Sequence, residues 1–271
     1  MVKNKIILAI ALSLAAVGAQ AMAIRDVGLF NGNTLAANDD LSTGLTNIGF
    51  TVNINGTSFT QLFVNNNGNV SFTNSLSTFT PSGITGSSFP IIAPFWADVD
   101  TRGAGSGLTK YGTAASTSTS GAMFGVNWIG VGYFPNEVNK RNSFQLILTD
   151  QGGGDFQIEF NYDQIQWETG GASGGANGLG GTSARVGYTI GASSAVELAG
   201  SGVNGAFLDG GPSGTRLISN SRGSDVAGRY IFNGRGGVIV PVEPPSNQVP
   251  LPGTLALIGL GLIGFSKMRR K

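Results

Sequence analysis

In "FWADVDTRG" the carboxylates Asp98 and Asp100 stand two residues apart, and Gly103 follows three further on. Hard carboxylate oxygens beside a glycine that permits a sharp turn are the makings of a calcium loop. The pattern stops short of an EF-hand, because Arg102 occupies a ligand place and Thr109 stands where the closing bidentate glutamate belongs. The same two aspartates have a second use, as acceptors for backbone N–H groups and for Arg102 at a strand end next to Phe95 and Trp96. Both readings stay open: calcium ligands, or local hydrogen-bond acceptors.

The remaining chemical motifs are incomplete. "GASGG" (Gly171 to Gly175) has the G-x-S-x-G spacing of a nucleophile elbow, but the chain contains no histidine to serve as its base, and a flexible surface loop is the better reading. "GLGLIG" (Gly259 to Gly264) spells the dinucleotide pattern inside an apolar terminal run instead of between a strand and a helix. With neither His nor Cys, histidine bases, thiolate nucleophiles, zinc held by either residue, and disulfides are excluded. Asp155, Glu159 and Asp163 fall on one strand, where they line a solvated face and do not form the opposed pair a glycosidase needs. No enzyme activity is expected, and calcium is the one cofactor the residues admit. Trp128, Tyr133 and Phe134 adjoin a Gly/Pro-interrupted loop; such aromatics either stack on sugar rings or fill a core.

The elements that would position these residues are strands. In "DFQIEFNYDQIQWE", Phe156, Ile158, Phe160 and Tyr162 alternate with polar residues, the period of a strand with one face inward. The apolar phase then moves to Ile165 and Trp167, which predicts a bulge near Asp163-Gln164. "SFQLILTD" precedes it across "QGGG", so the two read as a long antiparallel hairpin. "TQLFVNNNGNVSF" carries a second hairpin signal in Asn67-Gly68, and "IGFTVNI", "AMFGVNWIGVGYF", "ARVGYTI" and "GRYIFN" are further strands. The uncharged stretch Thr169 to Gly181 reads as a loop that must be ordered on binding. Forty-four glycines lower the expectation of order, but a hydrophobic fraction of 41% with 16 phenylalanines can fill a core. The fold class expected is all-β, an antiparallel β-sandwich.

Both ends read as addresses. Residues 1–23 carry Lys3 and Lys5, an apolar run from Ile6 to Val17 and small residues at Ala19 and Ala21, the pattern of a secretory signal peptide. Residues 24–240 form the body and 241–250 a proline-rich linker. Residues 249–271 then give an uncharged stretch, long enough for a short transmembrane helix, and a basic cluster of Lys267, Arg269, Arg270 and Lys271. Six of the 16 basic residues lie in the two end segments 1–23 and 249–271, leaving ten against 15 acidic ones, so the body and linker together have a net charge of −5. Scattered cations on an acidic body exclude a nucleic-acid-binding face.

The tail resembles the PEP-CTERM sorting signal of Gram-negative bacteria that make extracellular polysaccharide. Val249, Pro250, Pro252 and Thr254 match its box, and "LALIGLGLIG" and the basic cluster match its helix and end; Leu251 departs from the usual glutamate. The resemblance implies recognition and cutting by an exosortase-like membrane protease or transpeptidase, with the inner membrane held only transiently; an uncut anchor is the alternative. The body is similar to the nidogen-like extracellular domain. The similarity rests on "FVNNNGNVSF", "FPIIAPFWADVDTRG", "FNYDQIQWETG" and "ANGLGGTSARVGYTIG" in that order, roughly over Asn47 to Phe232; it implies that the stretch Thr169 to Gly181 serves a particular backbone turn as the alternative to a ligand loop. Together these resemblances imply an exported, non-enzymatic protein of the cell surface or biofilm matrix. Its partners would be extracellular polysaccharide or other surface proteins, and a carbohydrate-binding module is the alternative.

Overall fold

The computed structural model describes residues 22–115, 121–190 and 194–241. The signal peptide expected at 1–23 therefore falls almost wholly outside the described residues, and the sorting signal and transmembrane segment expected at 249–271 fall outside them entirely. Among the described residues no helix is long and apolar enough to cross a membrane.

Two antiparallel sheets carry the described residues. The second sheet runs β12–β11–β5–β4–β3–β2, built from β2 (Thr46–Ile54), β3 (Thr57–Asn65), β4 (Asn69–Ser71), β5 (Ile91–Trp96), β11 (Arg185–Thr189) and β12 (Ala195–Glu197). The first runs β1–β7–β8–β9–β10–β13–β14, with β6 paired to β8. Its strands are β1 (Asn33–Thr34), β6 (Val99–Asp100), β7 (Thr109–Ala114), β8 (Met123–Tyr133), β9 (Glu137–Gly152), β10 (Asp155–Gln164), β13 (Arg229–Arg235) and β14 (Val238–Pro241). Among the described residues the helical content is three short 3-10 turns, at Val27–Phe30, Ile84–Gly86 and Gly171–Ser173.

The expected alternation on β10 is present: Phe156, Ile158, Phe160 and Tyr162 are all buried in the core between the sheets. The register slips between Tyr162 and Gln164, where the change of apolar phase predicts a bulge. After the slip, Ile165 and Trp167 rejoin the same core. Phe95, Phe144, Trp128, Trp167 and Tyr133 form its centre, with Trp128 stacked on Phe144 at 5.2 Å and Phe95 edge-on to Trp167 at 5.8 Å. Such pairs add about 0.5–1.5 kcal/mol each beyond burial. Trp128 and Tyr133 thus belong to the core and not to a sugar-stacking surface, and Phe134 is half-buried beside the Arg102 guanidinium.

The polar side of β10 differs from the solvated face expected of it. Asp155 and Asp163 remain accessible, but Glu159 is 2% exposed, under Arg25. Alternation tells which residues are polar but not what covers them. Here the N-terminal segment Met22–Phe30 lies across the outer face of the first sheet and completes a polar ladder. Gln145 donates to Asn127, Asn161 donates to Gln145 and Glu159, and the Arg229 Nε donates to Asn161. Arg25 closes the ladder with two bonds to Glu159, of 2.6 and 2.7 Å. Phe30 fills the apolar end of this face with Met123 and Ile147.

The β3–β4 connection is a three-residue loop, since Asn65 pairs with Asn69. Gly68 alone in it has positive φ, at +75°, so the turn is not the two-residue form in which both central residues are left-handed. A Cβ on Gly68 would lie 1.8 Å from the Phe95 carbonyl oxygen, which the neighbouring strand cannot vacate. Gly68→Ala is expected to cost more than about 3 kcal/mol through both backbone strain and this clash. Urea unfolding of the purified protein checks this, and a midpoint within error of wild type would refute the close approach.

Candidate functional site

The NNNGN turn is buried together with its side chains: Asn65, Asn66, Asn67 and Asn69 are each at most 1% exposed. Buried amides are tolerated only when their hydrogen bonds are met. Asn66 donates to the carbonyls of Asp39 and Val99 and accepts from the Thr109 hydroxyl, while its own carbonyl receives the Trp128 indole N–H. Asn67 accepts from the Val99 N–H and donates to the Asp40 carboxylate at 2.9 Å. Asn65 donates to Asn69 and Ser71. The turn therefore pins two other segments to itself, the loop around residues 38–41 and the β5–β6 connection.

Those two segments bring acidic groups together. Asp39, Asp40 and Asp98 each offer one carboxylate oxygen within 4.8 Å of the other two. Asp98 is 2% exposed, and its Oδ2 has no hydrogen-bond partner; the buried Oδ1 of Asp39 has none either. Burial, followed by the charges of Asp39, Asp40 and Asp100, pushes the Asp98 carboxyl up to about 7. Burial and the neighbouring Asp40 and Asp100 push Asp39 up to about 6.

Asp100 behaves in the opposite way and does not join this group. Burial would raise it, but the Arg102 guanidinium, with the N–H groups of Arg102 and Asn136, holds it below the usual carboxylate range. Arg102 grips both Asp100 oxygens at 2.9 and 2.7 Å and reaches Asp39 Oδ2 at 3.0 Å. Of the two residues with metal-ligand spacing in the sequence, Asp98 faces the cluster, and Asp100 has the acceptor role. Asp39 and Asp40 carry no sequence signal pointing to Asp98, which lies 59 and 58 positions away.

The glycine-rich stretch 169–181 walls off the far side. It is folded onto the protein, with Thr169 and Ser173 buried and Thr182 N–H donating to Ser173 O. A Cβ at Gly170 would lie 2.3 Å from Asp98 Oδ2, so only glycine lets the backbone cover that carboxylate. Glu168, next to it, is buried and accepts the N–H groups of Gly205 and Phe207.

In comparisons with known proteins, the Nidogen-like domain family matches residues 60–235, and the PEP-CTERM protein-sorting motif matches residues 248–271. Alpha-tectorin of Mus musculus and that of Homo sapiens are each 34% identical over 179 residues, covering 56% of this chain and 8% of the tectorin. Alpha-tectorin of Gallus gallus is 33% identical over 159 residues, covering 49% of this chain and 7% of the relative. The chain thus spans less than a tenth of the length of these relatives. No solved structure matches it.

Removing the Asn66 side chain strips the carbonyls of Asp39 and Val99 and the Thr109 hydroxyl of their partner in a dry environment. Asn66→Ala is expected to lower stability by about 2–4 kcal/mol. Chemical denaturation followed by tryptophan fluorescence measures the loss, and a change under about 0.5 kcal/mol, the size of an ordinary surface substitution, would contradict the pinning role.

Proposed function

The chain belongs to the nidogen-like domain family, and from that premise we propose that it is an exported, non-enzymatic protein of the cell surface or extracellular matrix, serving there as an adhesive or structural component. The observation that carries this reading is the pairing of a nidogen-like body with a PEP-CTERM protein-sorting motif at residues 248–271. Val249, Pro250, Pro252 and Thr254 are the residues an exosortase-like membrane protease or transpeptidase would read. Lys267, Arg269, Arg270 and Lys271 would hold the tail's end at the inner face of the membrane until cutting.

The side chains of the body support a binding or structural role over catalysis. Glu159 is committed to Arg25 and Arg229, Asp100 to Arg102, and Glu168 to backbone donors. Asp98 lies under the glycine loop, where a substrate's leaving group has no contact with it. Sugar recognition by Trp128 and Tyr133 loses its support, because both rings are inside the core. Contact with extracellular polysaccharide or other surface proteins would then fall to loops and strand edges, where weak contacts gain strength from many copies. The edge strand β14 shows Val238 and Val240 about half exposed, at 42% and 48%.

Intact-mass measurement of the protein from envelope and extracellular fractions of the native host tests the delivery. The expected mature species begins close to Met22 or Ile24 and ends near Val249 or Pro250. A species that retains Lys271 and occurs in membranes alone would make the tail a permanent anchor and overturn the sorting step.

A further inference from the structure

We infer that Asp39, Asp40 and Asp98 form a calcium site that locks the 38–41 loop onto the β5–β6 connection. The donors are all carboxylate oxygens, which suits a hard divalent cation and excludes the softer metals that seek nitrogen or sulfur. Oxygens about 2.4 Å from a central Ca²⁺ lie on a sphere about 4.8 Å across. Asp39, Asp40 and Asp98 each offer an oxygen within 4.8 Å of the other two, which is close enough for one such ion to be shared among them. Mg²⁺ demands a tighter octahedron and keeps most of its water, which a pocket covered by the glycine loop opposes.

Two further observations point to a ligand and not merely to clustered charge. Asp98 Oδ2, on a residue that is 2% exposed, has no protein donor, and Asp39 Oδ1 is equally orphaned. Leaving such an oxygen unpaired away from water costs about 1–3 kcal/mol or more when it is charged. The local charge is also unbalanced: among the described residues Arg102 is the one cation paired with this group of four aspartates, and it is taken up by Asp100 and Asp39 Oδ2. Asn67 orients the Asp40 carboxylate by donating to its Oδ1, and Gly170 leaves room for the Asp98 carboxylate. These ligands come from two segments far apart in sequence, so an ion would tie the start of the body to the centre of the second sheet.

Calorimetric titration of the EDTA-treated full chain in detergent with CaCl₂, and separately with MgCl₂, tests the assignment. One Ca²⁺ should bind per chain, at least about tenfold more tightly than Mg²⁺, and saturating Ca²⁺ should raise the melting temperature by about 3–6 °C. Asp98→Asn and Asp40→Asn keep the side-chain shape and each remove a charged ligand; each should weaken Ca²⁺ binding at least about tenfold. Asp40→Asn retains an acceptor for Asn67, so it reports on the ion even where Asp98→Asn folds poorly. Absence of Ca²⁺ binding to the wild type, equal affinity for Mg²⁺, or unchanged affinity in Asp40→Asn would overturn the proposal.

Discussion

The structure depends on paying for four buried asparagines in one short turn. A turn between strands ordinarily sits at the surface, where water satisfies it. This one is driven inward between the sheets, so every amide of Asn65, Asn66, Asn67 and Asn69 must find a protein partner. The partners come from residues 38–40, Val99, Thr109 and Trp128, which belong to a loop outside the sheets and to the first sheet, whereas the turn itself joins two strands of the second. The arrangement fixes the sheets relative to each other more narrowly than apolar packing can, because hydrogen bonds are directional and oil-like contact is not. It also explains Gly68, whose missing Cβ lets the turn press against the Phe95 carbonyl.

The acidic cluster follows from the same turn. Asn66 holds the Asp39 backbone and Asn67 holds the Asp40 side chain, and each also bonds Val99, one residue from Asp98. Carboxylates that would repel one another in a free chain are thereby held together by neutral amides. Asp98 and Asp100 show how sharply environment divides similar residues: one is packed under glycine with a free oxygen, the other is clasped by an arginine and two backbone donors.

Strand periodicity made most of the architecture legible from sequence. Phe156 to Tyr162 alternate cleanly because one face of β10 meets a continuous core, and the phase change after Tyr162 marks a real slip in register. The covering of the other face was not legible, since Glu159 and Asn161 look the same in sequence whether water or Arg25 satisfies them. The glycine-rich stretch is ambiguous for a related reason: glycine confers freedom on an isolated chain, but at Gly170 it serves close contact. Of the cluster, Asp98 was singled out by its spacing to Asp100, although the two part company in the fold, Asp98 preceding β6 and Asp100 ending it. Asp39 and Asp40 could not be found, because only the folded turn connects them to Asp98.

The N-terminal strap over the first sheet bears on the order in which the protein assembles. The face it covers, formed by Asn127, Gln145, Glu159, Asn161 and Arg229, is polar across four strands, with Met123 and Ile147 as its small apolar end. A sheet with the strap still undocked would present water with groups that water can satisfy, and so would offer little for a second chain to stick to. Docking of Met22–Phe30 can thus come last without leaving a sticky intermediate to wait for it. Among the described strands and loops, this segment precedes all the others in the chain, yet its late arrival costs the fold least.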